Sequence, residues 1–122
     1  MSGPVGVVCA GTSDLPVAEE AIVTTASGCV AITGGPHSRD GYAATIEPLA
    51  TVASVGSGDA FLAGYVSARR AGRPASACLA YGVAAGAEST QHLGAGMLDP
   101  LEVERLADRV RVSRLEVAAR VA

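Results

Sequence analysis

Apolar positions fall into short β-like runs between residues 22 and 46 and into helical spacing from residue 59 to the segment that opens at Asp99, with a further strand-and-helix pattern before residue 22 and a strand pattern after residue 109. Val5-Gly-Val-Val-Cys-Ala10 is a continuous apolar run of buried-strand length, and Gly11 to Ala21 follows as a tight turn into a helix with Pro16 near its start. Ile22–Thr25 and Cys29–Thr33 are two β-rich runs joined by a short turn, a hairpin signal. After a Gly/Pro-rich loop, Gly34 to Gly41, the segment Tyr42–Ile46 can pair as a strand. The helix expected over 59–71 has Phe61, Leu62, Tyr65 and Val66 as apolar bulk and Ala63-Gly64 as a small face for close approach to a sheet. Arg69, Arg70 and Gly72 close it, with cations at the negative end and a residue free to turn left-handed. A second helix, rich in alanine and glycine, runs from Pro74 to about Ser89 and suits close packing on a neighbour or a flat ligand. A third opens with Asp99 as N-cap, Pro100 at the first helical position and Glu102 in a capping-box position. Val110–Val117 alternates apolar and polar residues and predicts a final half-buried strand. The succession is that of one compact α/β domain over 1–122.

The most informative stretch is Val55-Gly-Ser-Gly-Asp-Ala-Phe61, a glycine turn that delivers an aspartate to the first turn of a helix. Gly56 and Gly58 can take backbone angles closed to other residues, so the amides of Gly56, Ser57 and Gly58 are expected to converge on one anionic group. The helix macrodipole adds to that attraction. A carboxylate at the same place repels an anion and makes sense instead as a general base, with Asp59 taking a proton from a hydroxyl that attacks a phosphoryl group. The plainer reading gives Ser57 or Asp59 only an N-cap role, and Gly-x-Gly-Asp alone does not separate the two.

The run Val52-Ala-Ser-Val-Gly-Ser-Gly-Asp-Ala-Phe-Leu-Ala-Gly-Tyr65 resembles the second signature of the ribokinase-like (PfkB) carbohydrate kinases, nearest the 1-phosphofructokinase and tagatose-6-phosphate kinase type. The similarity continues through Ala80-Tyr-Gly-Val-Ala-Ala-Gly-Ala-Glu-Ser-Thr-Gln-His-Leu-Gly-Ala-Gly96 and Asp99-Pro-Leu-Glu-Val-Glu104, and backwards to Ile22-Val-Thr-Thr-Ala-Ser-Gly-Cys-Val-Ala31, about residues 22 to 117 in all. It implies an α/β fold, the three-layer ribokinase-like carboxyl-terminal half, to which residues 1–21 add an amino-terminal βα unit. It implies ATP with Mg2+ as phosphoryl donor, a sugar or sugar phosphate as acceptor, Asp59 as catalytic base and Gly56, Ser57 and Gly58 as anion hole. By the same resemblance Thr24, Gly28, Gly86 and His92 are candidate nucleotide contacts. For Thr24 and Gly28 the competing reading is an ordinary hairpin turn, and for His92 a capping or packing role. Ala53 and Ser54 stand where many members carry Asp-Thr, so the resemblance carries no monovalent-cation site here. Family members are roughly twice as long or more, and their amino-terminal part supplies most sugar contacts, a lid and an Asn-x-x-Glu motif that organises magnesium. The expectation is therefore the nucleotide-and-base half of a kinase, with impaired activity alone.

Residues 5–21 differ in character. Val8-Cys-Ala-Gly-Thr-Ser-Asp-Leu-Pro-Val-Ala-Glu-Glu-Ala21 resembles the opening of the carboxylase-like domain of pyridinium-3,5-biscarboxylic acid mononucleotide synthase. That resemblance implies Thr12, Ser13 and Asp14 as an alternative phosphate or ribose site, against which stands a β-turn-α connection capped by Ser13 or Asp14. The two resemblances meet near Ala21, as if a βα unit had been joined to a ribokinase-like half and covered its sheet edge.

Charge and composition narrow the partners. Net charge is −3 and the nine basic residues are scattered or helix-terminal, which argues against nucleic acid. No apolar run reaches membrane-spanning length and the amino terminus lacks the pattern of a secretion signal, so a cytoplasmic protein is expected. Cys9, Cys29 and Cys78 lie in apolar surroundings without metal-ligand spacing and read as buried thiols; no metal site is expected from side chains. His37 lies in the Gly/Pro-rich loop, and neither histidine has a Ser or Cys nucleophile in context for a hydrolase triad. A shortened sheet has an edge and an apolar face to cover, which leaves a homodimer open. Three functions follow in order: ATP-dependent phosphotransfer, a nucleotide- or phosphate-binding module without turnover, and a carboxylase- or mutase-like fragment.

Overall fold

The structure, a computed structural model, describes residues 5–7, 21–25, 27–35 and 38–116. Its sheet has five antiparallel strands in sequence order, β1 (Val5–Val7), β2 (Ala21–Thr25), β3 (Gly28–Gly35), β4 (Ser38–Thr45) and β5 (Arg111–Leu115). Between β4 and β5 come three helices, α1 (Ser57–Arg70), α2 (Ala75–Ser89) and α3 (Pro100–Ala107).

The β2–β3 hairpin forms as its alternating residues demand, with Thr24 opposite Cys29 and Thr25 opposite Gly28. Gly28 is fixed by contact, because a Cβ there would lie 1.9 Å from the Ala44 carbonyl oxygen on β4. The expected Gly34–Gly41 loop is instead mostly ladder: Gly34 pairs with Arg39 and Gly35 with Ser38, so β4 begins four residues before Tyr42. Glycine has little strand propensity, but a long two-stranded register supplies the pairing that propensity does not. β1 pairs antiparallel with β2 and covers that edge, whereas a strand of a βα unit would run parallel. The helix expected over 11–21, with Cys9, Thr12, Ser13 and Asp14, lies outside the described residues except for Ala21, which opens β2. His37 lies outside them as well.

Period-2 patterning sends Ile22, Cys29, Ala31 and Ala44 to one face, where they are buried with Tyr42 and Val112 beside them. α2 lies across this face on β3, β4 and β5, and carries α1 and α3 against it. The opposite face exposes Val30 and Leu115. α2 serves as the centre of the helical layer because it is apolar nearly all round: Cys78, Leu79, Val83, Ala84 and Ala85 are buried.

α1 buries Ala60, Phe61, Gly64, Tyr65 and Ala68, the i, i+4 face with its neighbours, while Leu62 and Val66 are exposed. Its small-residue contact is therefore with α2 and not with the sheet. A Cβ on Gly64 would sit 2.8 Å from Ala85 Cβ, so only glycine permits this separation of the two helices. The helix ends as its sequence predicts: Gly72 N–H donates to Arg69 O (3.0 Å) and Arg73 N–H to Ala68 O (3.2 Å), a Schellman pair around a left-handed Gly72. α3 starts on Asp99, whose Oδ1 accepts from Leu101 N–H at 3.0 Å. Glu102 turns to Arg105 (2.8 Å). No described helix is long and apolar enough to cross a membrane.

Candidate active site

The segment leading into α1 is strapped to the end of α2. Val52 and Ala53 N–H both donate to Thr90 O, at 2.9 and 3.0 Å, and Gln91 Nε2 donates to Ala50 O at 2.9 Å. Fixed in this way, the chain reverses at Gly56, which has φ 85° and ψ 1° and serves as N-cap of α1. That left-handed geometry is open to glycine at little cost. Neither Ser57 nor Asp59 caps the helix; no side chain does.

Gly58 departs from expectation. It is helical, with no positive φ, and a Cβ there would meet nothing within 4 Å. Of the two glycines, Gly56 is the one required by backbone angle, and Gly58 borders open space. Ser57 N–H donates to Ser54 O (3.2 Å) and Ala60 N–H makes the first helical bond, to Gly56 O (2.9 Å). The Gly58 and Asp59 amides have no protein acceptor among the described residues. Two free N–H groups and an open approach at the positive end of a 14-residue helix are the requirements of an anion site. Asp59 stands in that first turn and is exposed.

A second wall of the site is the loop 91–98. Ala95 lies against Gly56, where an added Cβ would come 2.9 Å from Ala95 Cβ. Glu88, at the end of α2 and only 3 % exposed, anchors this loop. Its Oε1 is 2.6 Å from His92 Nε2 and its Oε2 accepts from Asp99 N–H at 3.0 Å. An ionised carboxylate has no proton to give, so the imidazole donates. His92 is thus tied to Glu88 beside the site. Gly86 also adjoins the turn, and a Cβ on it would lie 3.2 Å from Ser57 O. Its place is a close contact between α2 and the start of α1.

Thr24 and Gly28 belong to the sheet, and α1 forms no extended contact with any strand. The structure therefore groups Gly56, Ser57, Gly58, Asp59, Gly86 and the His92 loop, and sets Thr24 and Gly28 in the hairpin. Glu88 was not singled out by sequence reasoning. Its signal was that it is the one Asp, Glu, Lys or Arg between Pro74 and Leu98, four positions before a histidine.

Val52 and Val55, in the segment that leads into the turn, and Leu93, Met97 and Leu98, in loop 91–98, are exposed apolar side chains. Among the described residues no three His, Cys, Asp or Glu side chains come together to hold a metal ion.

A family profile described as pfkB family carbohydrate kinase matches residues 16–101. Among solved structures, a phosphofructokinase from Staphylococcus aureus is similar with a TM-score of 0.70 at 22% identity, over 80% of this chain and 30% of that one. Phosphofructokinase-2 from Escherichia coli, solved in complex with potassium, gives 0.64 at 15% identity over 74% of this chain and 28% of that one. A 1-phosphofructokinase from Thermotoga maritima gives 0.53 at 22% identity over 80% and 28%. The chain thus spans less than a third of the length of these proteins. No curated protein matches it.

Proposed function

The chain belongs to the pfkB family of carbohydrate kinases, and from that membership we propose that the turn opening α1 is the phosphoryl-transfer site for an ATP-dependent reaction with a sugar or sugar-phosphate hydroxyl. The observation that carries the reading is the left-handed Gly56 turn, which leaves two amides unbonded and sets Asp59 beside them in one helical turn. The free Gly58 and Asp59 amides donate to the oxygens of the transferring phosphoryl group, while the Ser57 amide, bonded to Ser54 O, holds the turn. Asp59 accepts the proton of the attacking hydroxyl as its oxygen approaches phosphorus. It cannot stabilise the phosphoryl group itself, since both are anionic. Val55, Leu93, Met97 and Leu98 offer an apolar surface on which a nucleoside base can rest beside the turn. Magnesium entering with ATP would supply charge neutralisation at the phosphates, and among the described residues no three His, Cys, Asp or Glu side chains come together to hold it.

Proton removal by one positioned carboxylate accounts for roughly 10²–10⁴-fold acceleration. The larger part of phosphoryl transfer comes from fixing the acceptor hydroxyl in line, worth an effective molarity of about 10⁵ M or more. None of the described groups is assigned to the acceptor. The 122-residue chain alone is therefore expected to work well below the ordinary kinase range. An ATP-coupled assay with fructose 1-phosphate, fructose 6-phosphate and tagatose 6-phosphate tests this. Turnover below about 1 s⁻¹ that vanishes in Asp59→Asn agrees with the proposal. Turnover that is equal in wild type and Asp59→Asn rules out Asp59 as the base.

A further inference from the structure

The buried Glu88 carboxylate joins two points of one loop, and the loop is the one that rests on the Gly56 turn. Its two oxygens are each committed: Oε1 to the imidazole four residues on, Oε2 to the amide of Asp99 eleven residues on. Between these anchors lie Gly94 and Gly96, both left-handed and both without neighbours for an added Cβ, so the stretch around Ala95 has little packing of its own. Leu93 and Met97 in the same stretch are largely exposed. The start of the loop is held by Gln91 Nε2 on Ala50 O (2.9 Å) and by the Gln91 and His92 amides on Glu88 O (2.9 Å) and Ser89 O (3.4 Å), and beyond them the two Glu88 side-chain bonds tie the His92 ring and the loop's far end. A carboxylate is buried at high cost unless each oxygen finds a donor, and here a ring N–H and a backbone N–H meet that need. Asp99 is also the N-cap of α3, so the second bond ties the loop's end to a rigid element.

We infer that Glu88 is a positioning residue for nucleotide binding: through His92 and the Asp99 amide it holds loop 91–98 in place as the wall against which the nucleoside part of ATP rests, beside the phosphate-holding turn. The inference rests on the reading of the α1 turn as the phosphoryl-transfer site. It makes a distinction that a general structural role does not. Inorganic phosphate needs only the turn, whereas ATP needs the turn and the loop. Releasing the latch therefore weakens ATP binding and leaves phosphate binding alone.

The test is calorimetric titration of the 122-residue chain with MgATP and, separately, with inorganic phosphate, together with hydrogen exchange of the 91–98 amides. Glu88→Ala is expected to raise the dissociation constant for MgATP at least fivefold, to change that for phosphate less than twofold, and to speed exchange in the loop. Glu88→Gln is expected to restore ATP binding to within twofold of wild type, because its carbonyl accepts from Asp99 N–H while its amide donates to the other tautomer of His92. If Glu88→Ala does not fold, His92→Phe removes one anchor while filling the same space, and an ATP constant raised at least threefold is expected. Unchanged ATP affinity in the folded variants overturns the inference. So does an equal loss of ATP and phosphate, which marks a purely structural role. Gly58→Val separates the underlying reading: if it leaves both affinities unchanged, or if wild type binds neither ligand, the site itself is wrong and the latch falls with it.

Discussion

Replacing Gly56 by alanine and, separately, Gly58 by alanine should move stability in opposite directions. Gly56 lies at φ 85°, ψ 1°, where an L-residue incurs a steric cost of roughly 1–2 kcal/mol. Its new methyl group would also stand 2.9 Å from Ala95 Cβ, inside van der Waals contact. Ala95 lies between two glycines with open surroundings, so it can retreat, and the contact adds only a fraction of the backbone cost. The sum for Gly56→Ala is a loss of about 2 kcal/mol, or a fall in Tm of roughly 6–12 °C for a domain of this size. Gly58 is helical and its added methyl would meet nothing within 4 Å. Gly58→Ala therefore gains up to about 1 kcal/mol from restricting the unfolded chain and from helix propensity. Urea unfolding followed by circular dichroism, with the slope of the transition unchanged, gives both values. Equal midpoints for the two variants, or a larger loss at Gly58, would refute this assignment of the left-handed position.

Two further outcomes concern the sheet. Gly28→Ala puts a Cβ 1.9 Å from the Ala44 carbonyl oxygen, so β3 and β4 must part locally; a loss of at least about 3 kcal/mol is expected in urea unfolding, and wild-type stability would contradict the packing described. Cys29 has its thiol pushed up to about 11 from an ordinary 9.0, chiefly by burial. Its raised value in the folded state means that the unfolded chain loses the proton first, so stability falls as pH rises through about 9 and the fall ends above about 11, about 2–3 kcal/mol in all. Unfolding at pH 8.5, 9.5 and 10.5 (about a unit apart across that window) should show this extra slope in wild type and not in Cys29→Ala; parallel slopes would contradict it.

Much of the architecture was legible because its signals are local. The Thr25–Gly28 hairpin, the Gly72 stop and the Asp99-Pro100 start each depend on a few adjacent residues, and each formed where the sequence pointed. The position of Asp59 in a first helical turn was legible for the same reason. What was not legible depends on partners distant in sequence. Gly56 and Gly58 are equivalent as letters, and only the strap from Thr90 and the contact with Ala95 decide which one bends. Leu62 and Val66 carry the bulk expected of a core, yet the face of α1 that α2 can approach closely is the one with Ala60, Gly64 and Ala68. Gly34 and Gly35 read as loop because ladder pairing with β4 leaves no trace in composition. Glu88 carries no local signal of burial in the sequence, because its burial depends on two donors that the loop brings to it.

The central claim is that the first turn of α1 binds phosphate through its amides and keeps Asp59 beside it for proton removal. Calorimetric titration of wild type, Asp59→Asn and Gly58→Val with MgATP tests it most directly. Asp59→Asn removes a negative charge next to the bound phosphates and should bind as tightly as wild type or slightly more so. Gly58→Val fills the open approach to the amides and should raise the dissociation constant at least tenfold. The account is contradicted if folded Gly58→Val binds MgATP as wild type does, or if Asp59→Asn abolishes binding.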